Sequence, residues 1–169
     1  MSNLYIRALR SSVLGTLTLA AMLFVPAWTL AYWQAWAYLA VFVAMTAWIT
    51  VYFAIKDPAL IERRMSAGPQ AEKEASQKII MSFAMAGFIG LIVVPAFDRR
   101  FGWSPVAPAV SVIGDAMIAL GFLLFFWVLQ QNRYAASTIQ IAEGQTVVST
   151  GLYGIVRHPM YSGTLPLLI

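Results

Sequence analysis

The chain has no cysteine and a single histidine, His158. The first absence excludes disulfides, thiolate nucleophiles and iron–sulfur clusters; the second excludes a multi-histidine metal centre, so no metal site is expected. Charge is scarce too, at 11% of residues, against roughly a quarter in a soluble domain. The eleven Lys and Arg residues give a net charge of +4 and a pI near 9.6. They are scattered between apolar runs and form no continuous stripe, so nucleic acid is not an expected partner. No low-complexity tract is present. Arg7 and Arg10 precede an apolar stretch as in a signal peptide, but no small-residue cleavage site follows and the run is too long. A retained membrane segment is the expectation.

What the chain does have is hydrophobic length. Apolar residues make up 60% and mean hydropathy is +0.74, which makes the bilayer the expected solvent and membrane lipids expected partners. Between Arg10 and Lys56 lie 45 residues without a charge, roughly twice what a ~30 Å hydrocarbon core requires of a helix. Two spans must share them, about 12–31 and 35–55. Their turn is expected near Ala31 to Ala35, where Trp28, Tyr32, Trp33, Trp36 and Tyr38 gather after Pro26 like an interfacial aromatic belt. Residues 56–78 form a polar connector with five basic and four acidic residues. Ile61, Met65 and the charges around them fit a surface-lying amphipathic helix as well as a solvated link. A third span covers 79–97, Asp98-Arg99-Arg100 with Gly102, Pro105 and Pro108 makes a turn, and a fourth span covers 109–131.

The expected fold is therefore an all-α integral membrane protein: four transmembrane helices and the first half of a fifth, within a single membrane domain of residues 1–169. Nine Lys and Arg residues fall on one side of these spans and two, Arg99 and Arg100, on the other. The positive-inside rule then puts the N-terminus in the cytoplasm, together with the 56–78 connector and the polar segment 132–163. Between Ala135 and Ser149 the helical period disappears, and two β-prone runs flank Glu143-Gly144 like a short hairpin.

The densest chemistry lies in Gly151-Leu152-Tyr153-Gly154-Ile155-Val156-Arg157-His158-Pro159-Met160-Tyr161-Ser162-Gly163. Pro159 disfavours helical geometry at His158 and suits the first position of a helix, so the fifth span is expected to begin there. Free backbone amides at such an end attract carboxylate or phosphate, and Arg157 adds a bidentate donor. Tyr153, His158 and Tyr161 supply aromatic faces for a base or a cation, and the glycines permit close backbone approach. A plain headgroup anchor also uses arginine and tyrosine beside a span. The sole histidine and three glycines exceed what an anchor requires. Asp115, the one acid inside an expected span, reads either as an intramembrane functional carboxylate or as a helix-start acid favoured by the dipole.

The string Gly151-x-Tyr153-x-x-Val156-Arg157-His158-Pro159-x-Tyr161-x-Gly163 resembles the isoprenylcysteine carboxyl methyltransferase family, and more loosely the phospholipid N-methyltransferases. Asn132-x-Tyr134, Glu143-Gly144-Gln145 and Asp57-Pro58-x-Leu60-x-Glu62-Arg63 look like bacterial members, which implies a bacterial inner membrane. The resemblance implies methyl transfer from S-adenosylmethionine to a lipid-like or prenylated carboxylate, with Arg157, His158, Pro159 and Tyr161 lining the cofactor pocket. Taken with the chemistry above, Arg157 and His158 are the candidate catalytic residues. The candidate cofactor-binding residues are Gly151, Tyr153, His158, Pro159, Tyr161 and Gly163. Family members continue through the rest of a fifth span to paired glutamates and an arginine, so a C-terminally truncated chain is expected here. The alternatives are a phospholipid N-methyltransferase-like enzyme, a sterol-type reductase with a related core, or a catalytically inactive membrane protein.

Overall fold

The computed structural model describes residues 2–65, 70, 74–132 and 148–164. Its helices are α1 (Ser2–Ala27), α2 (Trp33–Lys56), α3 (Pro58–Met65), α4 (Ala75–Phe101), α5 (Pro108–Gln131), α6 (Leu152–Ile155) and α7 (Pro159–Thr164). No strand occurs among the described residues. Of the hairpin expected over 135–149, residues 135–147 lie outside the described residues, as do residues 165–169 of the fifth span.

The spans fall where the hydropathy puts them, but several helix ends do not. α1 starts ahead of Arg7 and Arg10, and α4 starts at Ala75 and runs through Asp98, Arg99 and Arg100, which were expected to turn. Charges mark where a span leaves hydrocarbon; they do not stop a helix, because long side chains reach the interface from a continuing one. Conversely α1 ends at Ala27, short of residue 31, just after Pro26, and Trp28 takes a positive φ of 55°. α4 stops at Gly102, and the Asp98 carboxylate accepts bonds from the Ser104 N–H (2.8 Å) and hydroxyl (2.9 Å). Pro108 opens α5, where a missing N–H costs nothing. Within the polar connector, Pro58 opens α3 and Asp57 caps it, its carboxylate accepting the Leu60 N–H at 3.2 Å.

The four helices α1, α2, α4 and α5 are long and apolar enough to cross a membrane. Large apolar side chains cover their outer faces, among them Leu17 (60% exposed) and Phe83 (76%), a surface that only lipid satisfies. The chain is an all-α integral membrane protein. Its main packing runs from α4 to α1, from α1 to α2 and from α2 to α5, with α7 on α5 and α3 under α2.

Since lipid tails are as apolar as the helices, close packing and specific contacts hold the spans together. Two buried clusters do this. One, at the end bearing the N-terminus, joins Phe53 and Ile49 of α2, Leu60 and Ile61 of α3, and Phe122, Phe126 and Leu129 of α5. Phe126 meets Trp48 (4.4 Å), Tyr52 (5.0 Å) and Phe53 (5.5 Å), each such pair worth about 0.5–1.5 kcal/mol beyond its area. The other cluster, at the opposite end, joins Leu19 and Leu23 to Leu39, Ile92 and Ala96. There the end of α4 is tied to the α1–α2 turn: the Arg99 guanidinium donates to the Ala31 carbonyl (3.3 Å), and that of Arg100 lies 5.2 Å from the Trp28 ring.

Candidate site at the end of α5

Chain direction brings the C-terminal end of α5, the N-terminal part of α7 and α3 to the same end of the bundle. The segment from Ser149 to Thr164 is fixed there by polar bonds to the last turn of α5. The Leu152 N–H donates to the Gln131 side-chain carbonyl (2.9 Å), and the Asn132 side-chain amide donates to the Tyr153 hydroxyl (2.9 Å). These bonds tie α6 to the end of α5. Gly151 makes the approach possible, with φ 61° and ψ −129°, a conformation almost restricted to glycine. A methyl group there would stand 2.8 Å from the Gln131 side chain.

α7 begins at Pro159, as the sequence predicts. Pro159 and Gly163 are buried, and a methyl group at Gly163 would stand 3.3 Å from the Leu124 Cβ. They therefore face α5 and set how closely α7 lies on it, while Met160 packs against the first cluster. Arg157, His158 and Tyr161 point away and are exposed. The His158 and Tyr161 rings tilt toward each other with centroids 5.7 Å apart, and the His158 carbonyl accepts the Tyr161 N–H at 3.1 Å. The candidates thus divide into two groups. Pro159 and Gly163, with Gly151 and Tyr153, hold the segment in place; Arg157, His158 and Tyr161 present donors and ring faces outward.

Beside α7, a cavity of about 330 Å³ opens between α1, α2, α3 and α5. Ser11, Ser12 and Thr50 line it with hydroxyls, Phe122, Phe125 and Leu129 with apolar surface, and Arg64 reaches it from α3. The Arg64 guanidinium lies over the Phe125 ring at 4.7 Å, and burial lowers its pKa from the ordinary arginine value; arginine keeps its charge all the same. Phe125 connects the two features, because its backbone nitrogen stands 3.7 Å from where a Gly163 Cβ would be. A cation is therefore held in largely apolar surroundings one side chain away from the motif helix.

Arg64, Gln131 and Asn132 were not among the sequence-derived site residues. Asn132 stood in the family-like Asn132-x-Tyr134 motif, whereas Gln131 and Arg64 had no signal beyond being polar near a span. No protein-family model matches the chain, and no curated protein or solved structure matches it.

Proposed function

We propose that this chain is built to transfer a methyl group from S-adenosylmethionine to the carboxylate of a lipid-like or prenylated acceptor at the membrane interface. The observation that carries the reading is that the segment presenting Arg157, His158 and Tyr161 outward packs through Gly163 against Phe125, a wall of the cavity that opens between helices and holds Arg64. A motif of the isoprenylcysteine methyltransferase type stands next to a cation suited to an amphiphile's carboxylate. The positive-inside distribution orients this end toward the cytoplasm, with the N-terminus on the same side. A bacterial inner membrane fits the motif variants.

The donor set suits the cofactor. The Arg157 guanidinium matches the α-carboxylate of S-adenosylmethionine in bidentate geometry, and the tilted His158 and Tyr161 rings offer faces to adenine. The cofactor supplies an electrophilic sulfonium methyl. An acceptor carboxylate oxygen would take that methyl in line, giving an ester, with the S–CH₃ bonding pair left on sulfur as a thioether. A carboxylate is already deprotonated and needs no general base, so the protein's part is alignment and exclusion of water. Arg64 would hold the acceptor's charge at the cavity, and the apolar walls its chain.

The test uses the purified chain in lipid nanodiscs with methyl-labelled S-adenosylmethionine and S-farnesylcysteine as acceptor. Base-labile label in the acceptor is expected, as a methyl ester gives. Base-stable label in phospholipid headgroups would replace this reading with N-methyl transfer, and absence of transfer to either would overturn both.

A further inference from the structure

A second cavity, of about 360 Å³, opens at the opposite end of the bundle between α4 and α5, with α1 and α2 behind it. Its walls are largely apolar, from Leu23, Phe88, Ile92 and Ile118, yet Asp115 of α5 and Tyr38 and Gln34 of α2 face into it. Tyr38 and Asp115 lie within electrostatic reach of each other. Among the described residues, Asp115 has neither a hydrogen-bond partner nor a salt bridge to a cation.

The helix dipole does not account for Asp115. α5 begins at Pro108, about two turns before this acid. Asp115 therefore sits about 10 Å along the axis at ~1.5 Å per residue, beyond the first turn to which the dipole effect is confined. A carboxylate at this depth is costly without a counter-charge. The cavity also has a polar way in. An adjoining space of about 460 Å³ shares Tyr32, Gln34, Pro95 and Ser111 with it and reaches Asp98 and Arg99 at the helix ends. The two charges at that mouth are occupied, Asp98 by Ser104 and Arg99 by the Ala31 carbonyl. Pro95 lacks an N–H, so the Leu91 carbonyl one turn earlier has no helical donor; both residues border the cavity.

We propose that this cleft binds the ammonium head of a single-chain amphiphile, with Asp115 as counter-ion, Tyr38 and Gln34 beside it, and the alkyl chain between α4 and α5. Acceptors outnumber fixed cations at the inner end, and a protonated amine donates three hydrogen bonds where a neutral headgroup donates fewer. The apolar walls require a chain, and the opening between helices admits one from the bilayer. This site is separate from the Arg157 end and carries the opposite charge preference.

The test is photolabelling of the full chain in phosphatidylcholine nanodiscs with hexadecylamine carrying a diazirine on its chain. Hexadecanol and hexadecanoate versions serve as matched probes. The amine is expected to label peptides covering Phe88–Pro95 and Val110–Ile118 about tenfold more than the alcohol, the order expected when a hydrogen bond to a charged group is gained. Asp115→Asn should bring amine labelling down to the alcohol's level, and Tyr38→Phe should lower it several-fold. Removing a charge from a span does not threaten insertion, and unchanged helical circular dichroism checks this. Equal labelling by amine and alcohol, undiminished labelling of Asp115→Asn, or cross-links joining two copies of the chain through the cleft would overturn the proposal.

Discussion

Replacing Gly151 by alanine is expected to raise amide exchange at Gly154 and Val156 at least tenfold while leaving exchange in the four long helices unchanged. The N–H groups of those two residues close α6 onto the Gly151 and Leu152 carbonyls (3.1 and 3.0 Å), so they report its docking. A side chain at φ 61° and ψ −129° costs about 1–3 kcal/mol in backbone strain alone. The new Cβ would also displace the Gln131 amide, which now accepts the Leu152 N–H, a bond worth about 1 kcal/mol. Tenfold corresponds to about 1.4 kcal/mol, so the expected effect lies well within the combined cost. Gly87→Ala is the matched control, since nothing stands within 4 Å of a Cβ there. Equal exchange in both variants would mean that the segment is not held at the end of α5 through this turn.

Arg64→Ala is expected to lower kcat/KM for the carboxylate acceptor by about tenfold to a hundredfold, with affinity for S-adenosylmethionine unchanged. The range follows from losing a hydrogen bond to a charged group, about 1.5–3 kcal/mol, in a cavity where water competes weakly. Arg64→Lys should recover part of the loss, because lysine restores the charge without the planar fork. The Arg7–Glu62 pair at the same end of the bundle is no substitute: both side chains are more than half exposed and 3.8 Å apart, and such pairs contribute little. A loss confined to cofactor affinity would move Arg64 out of the acceptor cavity. Equal kinetics in wild type and variant would remove it from the site.

The difference between what could be read from the residues and what needed the structure follows from the range of each force. Burying a long apolar run in a bilayer is a property of the run itself, so the four spans were legible, as was the start of α7, fixed by local sterics at His158-Pro159. Helix ends were less so. Arg10 and Asp98 to Arg100 signal the interface, whereas the Asp98–Ser104 bonds beyond the end of α4 depend on geometry only the fold supplies. α3 was one of two open readings of the 56–78 connector, and packing of Leu60 and Ile61 into the first cluster decides it for residues 58–65. Arg63 and Arg64 are indistinguishable as letters; helix phase alone sets Arg64 over Phe125. The Gln131 and Asn132 bonds join residues 21 positions apart in sequence, beyond any local pattern. The division of the motif into residues that dock α7 and residues that face outward is likewise tertiary.

The most direct measurement is equilibrium binding of S-adenosylmethionine to the purified chain in nanodiscs, by calorimetry, for wild type, Arg157→Ala and His158→Ala. Saturable binding at one site is expected, weakened at least tenfold by Arg157→Ala through loss of a bidentate carboxylate contact, and weakened also by His158→Ala. Wild-type affinity in both variants, or no saturable binding to the wild-type chain at millimolar cofactor, would contradict it.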